Sequence, residues 1–169
     1  LLAAAAISLE AAGAECMLIC ANTMHKVASI VESAVTIPLL HIADATAKAL
    51  VADKLIRVGL IGTQFTMEQD FYKDRLKDGF SLDVMVPTPD QQKIVHDVIY
   101  SELCLGRIIE QSKHEYLKVI DDLKSRGAEA VILGCTEIAL LVQQQDTPLP
   151  LYDTTQIHAA EAVKFSIGS

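Results

Sequence analysis

Six short apolar runs recur along the chain with helical patterns between them, and this alternation limits the folds open to it. The runs are CMLIC (16–20), IPLLHI (37–42), RVGLIG (57–62), LDVMVP (82–87), AVILG (130–134) and LPLYD (149–153). Helical patterns fall near 1–12, 22–34, 44–54, 66–78, 90–104, 107–126, 136–144 and 154–167. Mostly apolar, β-rich runs of this length, each leading into a helix, predict a parallel sheet with helical crossovers and hence an α/β class. In such sheets function gathers at the carboxyl ends of the strands, where the next helix begins.

Three predicted strand ends carry suitable groups: Cys20-Ala21-Asn22-Thr23, Gly62-Thr63 with Thr66 beyond, and Gly134-Cys135-Thr136-Glu137. Any one of them reads as an ordinary helix cap. Two belong to an internal repeat, however. GAECMLICANTMH (13–25) and GAEAVILGCTEI (127–138) share a Gly-Ala-Glu start and an apolar run, and superposing Gly127 on Gly13 sets Cys135 on Ala21 and Thr136 on Asn22. Ile37-Pro38-Leu39 and Leu149-Pro150-Leu151 extend the repeat, followed by Asp44 and Asp153, which read as helix caps. Equivalent turns of a duplicated α/β protein can face one cleft, which makes positions 21 and 135 candidates for its opposite walls.

A net charge of −8 argues against nucleic acid or an anionic membrane surface as partner, because the long-range field repels polyanions. LLAAAAISLE lacks a basic leader region and reads as the last turns of an amphipathic helix, so the chain is expected to lack its beginning. No run reaches the ~18 apolar residues of a membrane span. Cys16, Cys20, Cys104 and Cys135 form no CxxC pair and no histidine spacing suggests a zinc site, so no metal is expected. Free thiols suit a reducing cytoplasm.

Cys135 is the cysteine placed at a helix start, where the dipole is expected to lower its pKa. Cys16, Cys20 and Cys104 read as buried small hydrophobes. The five histidines show no local signature of a general base for an acylating thiol, and His25 falls near the site but behind it. Cys135 therefore suits proton transfer beside a carboxylate, which needs a base, an acid on the other face and donors for the carboxylate. Glu137 favours the helix start and is a candidate for orienting site groups. Glu102, Lys113, Glu115 and Lys118 read as solvated helix faces.

The series ANTMHK, HIADAT, TMEQDFY, ELCLG, GCTEI and DTTQIHA resembles the aspartate/glutamate racemases, the cofactor-independent amino-acid racemases, and most of all their broad-specificity or acidic-amino-acid branch in enteric bacteria. The resemblance runs essentially from residue 1 to the end. It implies two pseudo-symmetric parallel-sheet α/β domains with helices on both faces and the active site between them. It also implies two thiols flanking the substrate's α-carbon and no pyridoxal phosphate or metal. Carried over, Cys135 is the second catalytic cysteine, and Asn22, Thr23, Thr63 and Thr136 bind the substrate's carboxylate and amino groups.

Two departures follow from the same comparison. The first catalytic position, Cys in most of the family and Thr in this branch, is Ala21, which can neither give nor take a proton. The family's amino-terminal strand and turn would precede Leu1, so the first domain is expected to be incomplete: residues 1–53 a remnant of it, 54–150 the second domain, and 151–169 a C-terminal helix returning to the first. The leading expectation is an aspartate/glutamate-type racemase of low or one-sided activity. A one-cysteine decarboxylase of a malonate-type substrate and a silent amino-acid-binding protein are the alternatives. A homodimer is expected, since an incomplete domain leaves apolar surface to cover.

Overall fold

The computed structural model describes residues 1–168. Four parallel strands, β1 (Arg57–Gly62), β2 (Asp83–Met85), β3 (Ala130–Gly134) and β4 (Leu151–Asp153), form one sheet in the order β2-β1-β3-β4. The helices are α1 (Leu2–Ala11), α2 (Ala28–Glu32), α3 (Ile42–Ala52), α4 (Gln64–Glu68), α5 (Asp70–Phe80), α6 (Pro89–Ser101), α7 (Glu110–Ser125), α8 (Ile138–Leu141) and α9 (Thr154–Ile167). Single 3₁₀ turns cover Thr23–Val27, Leu103–Leu105 and Gln144–Asp146. No helix among the described residues is long and apolar enough to cross a membrane.

The period of two along each central strand divides the core between the sheet's faces. Val58, Leu60, Ala130 and Ile132 pack with Tyr72, Leu76, Ile42 and Leu50 under α3 and α5. Ile61, Val131 and Leu133 pack with Val95, Ile99, Tyr116 and Leu123 under α6 and α7. Both faces are thus covered, as the apolar strands of a parallel sheet require. Gly59 lets α7 sit close, because a Cβ there would meet Leu123 Cδ1 at 2.9 Å.

Two expected strands are reduced to a bridge. Residues 16–20 and 37–42 meet only through Met17 and Leu39, with Met17 N donating to Pro38 O (3.0 Å) and Leu40 N to Met17 O (2.9 Å). Pro38 has no N–H to extend a ladder, and the amides of Thr36 and Ile37 are turned to Glu10 Oε1 instead, at 2.7 and 3.1 Å. These segments close a third, small core of Ala6, Met17 and Val31. α1 is not amphipathic: Ala6 is its buried residue, while Ile7 and Leu9 are each 51 % exposed. The expected helix over 66–78 breaks at Gln69, whose backbone is extended, and the one over 136–144 stops at Val142.

Asp153 caps α9, accepting from Thr155 N at 2.9 Å and Gln156 N at 3.3 Å. Asp44 does not cap α3. His41 does so, its Nδ1 accepting from Ala43 N, and Asp44 in the first turn takes a two-pronged ion pair from Arg75 at 2.6 and 2.8 Å. Lys113 likewise is not merely solvated, since it pairs with Asp146 at 2.7 Å. α9 lies against α3, tied to it by Lys48–Glu161 at 2.6 Å and to the segment before it by His158 Nε2 donating to Leu40 O at 2.6 Å. Ser169, the last residue of the expected terminal segment, lies outside the described residues.

Three buried histidines join these segments. The His25 ring lies 4.3 Å from that of His41 and 5.9 Å from that of His158. Burial pushes His25 down to about 4 and His41 to about 3. Unfolded histidines titrate near 6.5, so between about pH 6.5 and 4 the unfolded chain holds more protons and stability falls as pH falls. Urea denaturation at pH 7 and pH 5 should show a loss on the order of 2 kcal/mol or more; equal midpoints would contradict neutral, buried rings. At the strand ends, Gly134→Ala is expected to destabilise by about 1–3 kcal/mol through overpacking, because its Cβ would meet Leu60 Cδ1 at 2.9 Å and Ile61 O at 3.0 Å. Gly79→Ala, in open space within α5, should instead stabilise by roughly 0.5–1 kcal/mol in the same assay.

Candidate active site

β1 and β3 are neighbours in register, so Gly62 and Gly134 end the two strands side by side. The chain then turns twice within a few ångströms. After Gly62, Thr63 caps α4; after Gly134 come Cys135, Thr136 and Glu137 before α8. The 3₁₀ turn from Thr23 lies over the same strand ends. Its Thr23 hydroxyl sits 3.1 Å from both Thr63 Oγ1 and Thr66 Oγ1, and those two are also 3.1 Å apart. Three hydroxyls in a triangle can each donate to the next, or one can turn its hydrogen outward to an anion while the others support it.

These turns enclose a cavity of about 180 Å³. Ala21, Asn22, Thr23, Thr63, Cys135 and Thr136, the residues singled out by sequence, all line it. Glu137 and Gly134 complete that side, and Ile99, Tyr100 and Cys104 form a further wall. The volume lies below the ~300–1,000 Å³ of typical drug-sized pockets, which suits a small metabolite. Among the described residues no group of three or more His, Cys, Asp or Glu side chains is arranged to hold a metal.

The orientation of Asn22 follows from its neighbours. Thr154 donates its hydroxyl hydrogen to Leu133 O at 2.9 Å, so it can only accept from Asn22, and Asn22 Nδ2 lies 3.0 Å away. Asn22 Oδ1 is then a buried acceptor with no partner among the described residues. Such a group suits an N–H donor on a ligand. Behind it, His25 accepts from Ile42 N at Nε2 (3.2 Å), which leaves Nδ1–H to donate to Ala21 O at 2.9 Å. His25 thus fixes the backbone at position 21 from outside the cavity.

The environment of Cys135 reverses the expected direction of its pKa. Burial and the adjacent Glu137 carboxylate push the thiol up to about 12. α8 is only four residues long and starts three positions later, so its dipole does little at the sulfur. Cys135 Sγ donates to Glu137 Oε2 at 2.9 Å, which makes Glu137 the group that holds the thiol. The thiol is therefore protonated at neutral pH and its proton has an adjacent acceptor.

Cys104 and Cys20 are exposed rather than buried, and Cys16 is half-buried. Cys104 follows α6 in the turn Leu103–Leu105, which brings it out of the core and onto the cavity wall. Sequence reasoning misses this because the helical period of 90–104 continues formally through it. Ile99 and Tyr100 escape for a similar reason, since both read as ordinary positions of an amphipathic helix. Glu102 also departs from a solvated face: its Oε2 is buried with no partner among the described residues.

Comparison with known proteins identifies the fold and the family. A candidate Asp/Glu racemase from Yersinia pestis has a crystal structure that superposes with a TM-score of 0.94 at 48 % identity, covering 98 % of this chain and 72 % of that one. An aspartate racemase homologue from Pyrococcus horikoshii gives 0.89 at 33 % identity, with the same coverages of 98 % and 72 %. The broad-specificity amino-acid racemase RacX of Bacillus subtilis is 22 % identical over 167 residues, which are 94 % of this chain and 67 % of that protein. The family model described as Asp/Glu/hydantoin racemase matches residues 1–162, and the chain belongs to that family.

Proposed function

We propose that this chain moves the α-proton of an amino acid by thiol acid/base chemistry without a cofactor, in the manner of an amino-acid racemase. The observation that carries this reading is one small cavity shared by the Cys135–Glu137 pair, the threonine hydroxyls and the unpaired oxygen of Asn22. The hydroxyls of Thr23, Thr63 and Thr136 receive the substrate carboxylate, and Asn22 Oδ1 accepts from its ammonium group. As the α-proton leaves, charge passes into the carboxylate, where pre-placed donors stabilise it.

Cys135 must first lose its own proton. Glu137, 2.9 Å away, is the adjacent acceptor; although burial opposes its charge, hydrogen bonds from Cys135 and Thr136 hold its carboxyl below the usual range, so it relays the proton to solvent rather than keeping it, and the incoming ammonium favours the thiolate that remains. The thiolate then removes the α-proton to become a thiol, and returning that hydrogen restores the substrate with its original hand. Exchange of the bound thiol hydrogen with solvent before return leaves deuterium at the α-carbon in D₂O. Ala21 occupies the position from which the other face would be served, so proton transfer in this chain is one-sided. The reading includes a cytoplasmic homodimer, supported by free thiols and by exposed Ile7, Leu9 and Ile30 on α1 and α2.

Proton NMR in D₂O with D- and L-amino acids tests this directly. The α-proton signal of one enantiomer should decay, and Cys135→Ser should slow that decay by about 10²–10⁴-fold, the usual worth of a positioned acid or base. Equal decay in both proteins would remove Cys135 from the chemistry. Ala21→Cys supplies the second thiol and is expected to produce the opposite enantiomer, read by chiral chromatography; a folded, ligand-binding variant that produces none would contradict the role of position 21.

A further inference from the structure

We propose that His25 and His158 are positioning residues for Asn22, joined in a closed hydrogen-bonded ring that fixes where its side-chain oxygen faces the cavity. The ring joins three stretches far apart in sequence, 21–25, 40–42 and 154–158. His25 Nδ1–H donates to Ala21 O at 2.9 Å, and Ile42 N donates to His25 Nε2 at 3.2 Å. Two residues before Ile42, Leu40 O accepts from His158 Nε2 at 2.6 Å. One turn back along α9, Thr154 accepts from Asn22 Nδ2 at 3.0 Å, and Asn22 follows Ala21, where the ring began. Thr154 also donates to Leu133 O at 2.9 Å, which ties the ring to β3 just before Gly134 and Cys135.

Each link constrains the next. Asn22, His25, Thr154 and His158 are all buried, so their hydrogen bonds are made where water does not compete. Ile42 N can only donate, which requires a bare Nε2 on His25 and so puts its hydrogen on Nδ1, toward Ala21 O. Burial pushes His25 down to about 4, which keeps Nε2 bare at neutral pH. The stretch leading to Asn22 is held by a single bridge, Met17 to Leu39, with no ladder beyond it among the described residues. The ring therefore supplies at Ala21 and Asn22 the order that the sheet supplies at Gly62 and Gly134. His158 does not line the cavity, so it acts on the site through Leu40, Ile42 and His25. The use of Asn22 Oδ1 toward an ammonium group rests on the amino-acid reading above; the ring itself does not.

Nitrogen-15 NMR of the whole chain at pH 7 reads the ring without any ligand, through the His25 backbone amide, bonded to Asn22 O at 3.1 Å, and the Asn22 side-chain amide. His158→Leu removes the donor to Leu40 O and should speed hydrogen exchange at both groups by about tenfold or more, relative to amides of β1 and β3 in the same sample. His158→Gln can offer a donor where Nε2 stood and should keep both groups slow. His25→Leu opens the ring at its other links, so the double variant should add little to either single one. Should either leucine variant not fold, His25→Asn opens the ring at Ile42 N alone and carries the same expectation. No acceleration on opening the ring, acceleration spread evenly over the chain, or two effects that simply multiply would each overturn the proposal. Calorimetric titration with D- and L-aspartate extends the test to a ligand. Weaker binding by His158→Leu, recovered in His158→Gln, supports the positioning role, and equal binding by all three proteins would overturn it. Absence of binding by the unaltered chain would count against the amino-acid reading and leave the exchange result to decide the ring.

Discussion

Gly62 and Gly134 lie beside each other at the ends of β1 and β3, and the absence of a side chain at either is what draws the site together. A Cβ on Gly62 would come 2.9 Å from Gly134 O, and a Cβ on either glycine would come 3.4 Å from a Thr66 side-chain carbon. With the backbones this close, the two following turns share one floor. Thr63 and Thr66 arrive from one, Cys135 and Glu137 from the other, and Thr23 closes the triangle from above. The rest of the sheet serves to hold this contact in register, from Val58↔Ala130 up to Gly62↔Gly134.

What the sheet holds in place is chemically a neutral thiol next to a carboxylate. Burial opposes the thiolate, and Glu137 opposes it further while offering its proton a destination. In the proposed reaction the free protein keeps this acid/base group at rest, and the substrate's cationic ammonium is the element that shifts the balance.

Much of this arrangement is legible in the sequence. The two central strands are apolar on both faces and bounded by glycine, so β1 and β3 follow the predicted runs residue for residue. The Gly-Ala-Glu repeat paired Ala21 with Cys135, and both border the cavity. The losses have physical causes. Residues 16–20 and 37–42 look like strands by composition, but Pro38 and the pull of Glu10 on two amides leave a single bridge. The direction of the Cys135 pKa depends on burial and on a carboxylate two residues away whose rotamer no spacing reveals. The third wall was hidden because Ile99, Tyr100 and Cys104 become neighbours of the strand ends only through packing of α6 on the sheet.

The central claim is that Cys135 rests as a protonated thiol held by Glu137, and its alkylation rate as a function of pH tests this most directly. Iodoacetamide labelling, resolved at Cys135 by mass spectrometry between pH 6 and 10.5, should rise without reaching a plateau, with a midpoint well above the roughly 8.5 of an ordinary cysteine. Glu137→Gln should bring that midpoint down. A midpoint at or below the ordinary value, unmoved by Glu137→Gln, would contradict the account.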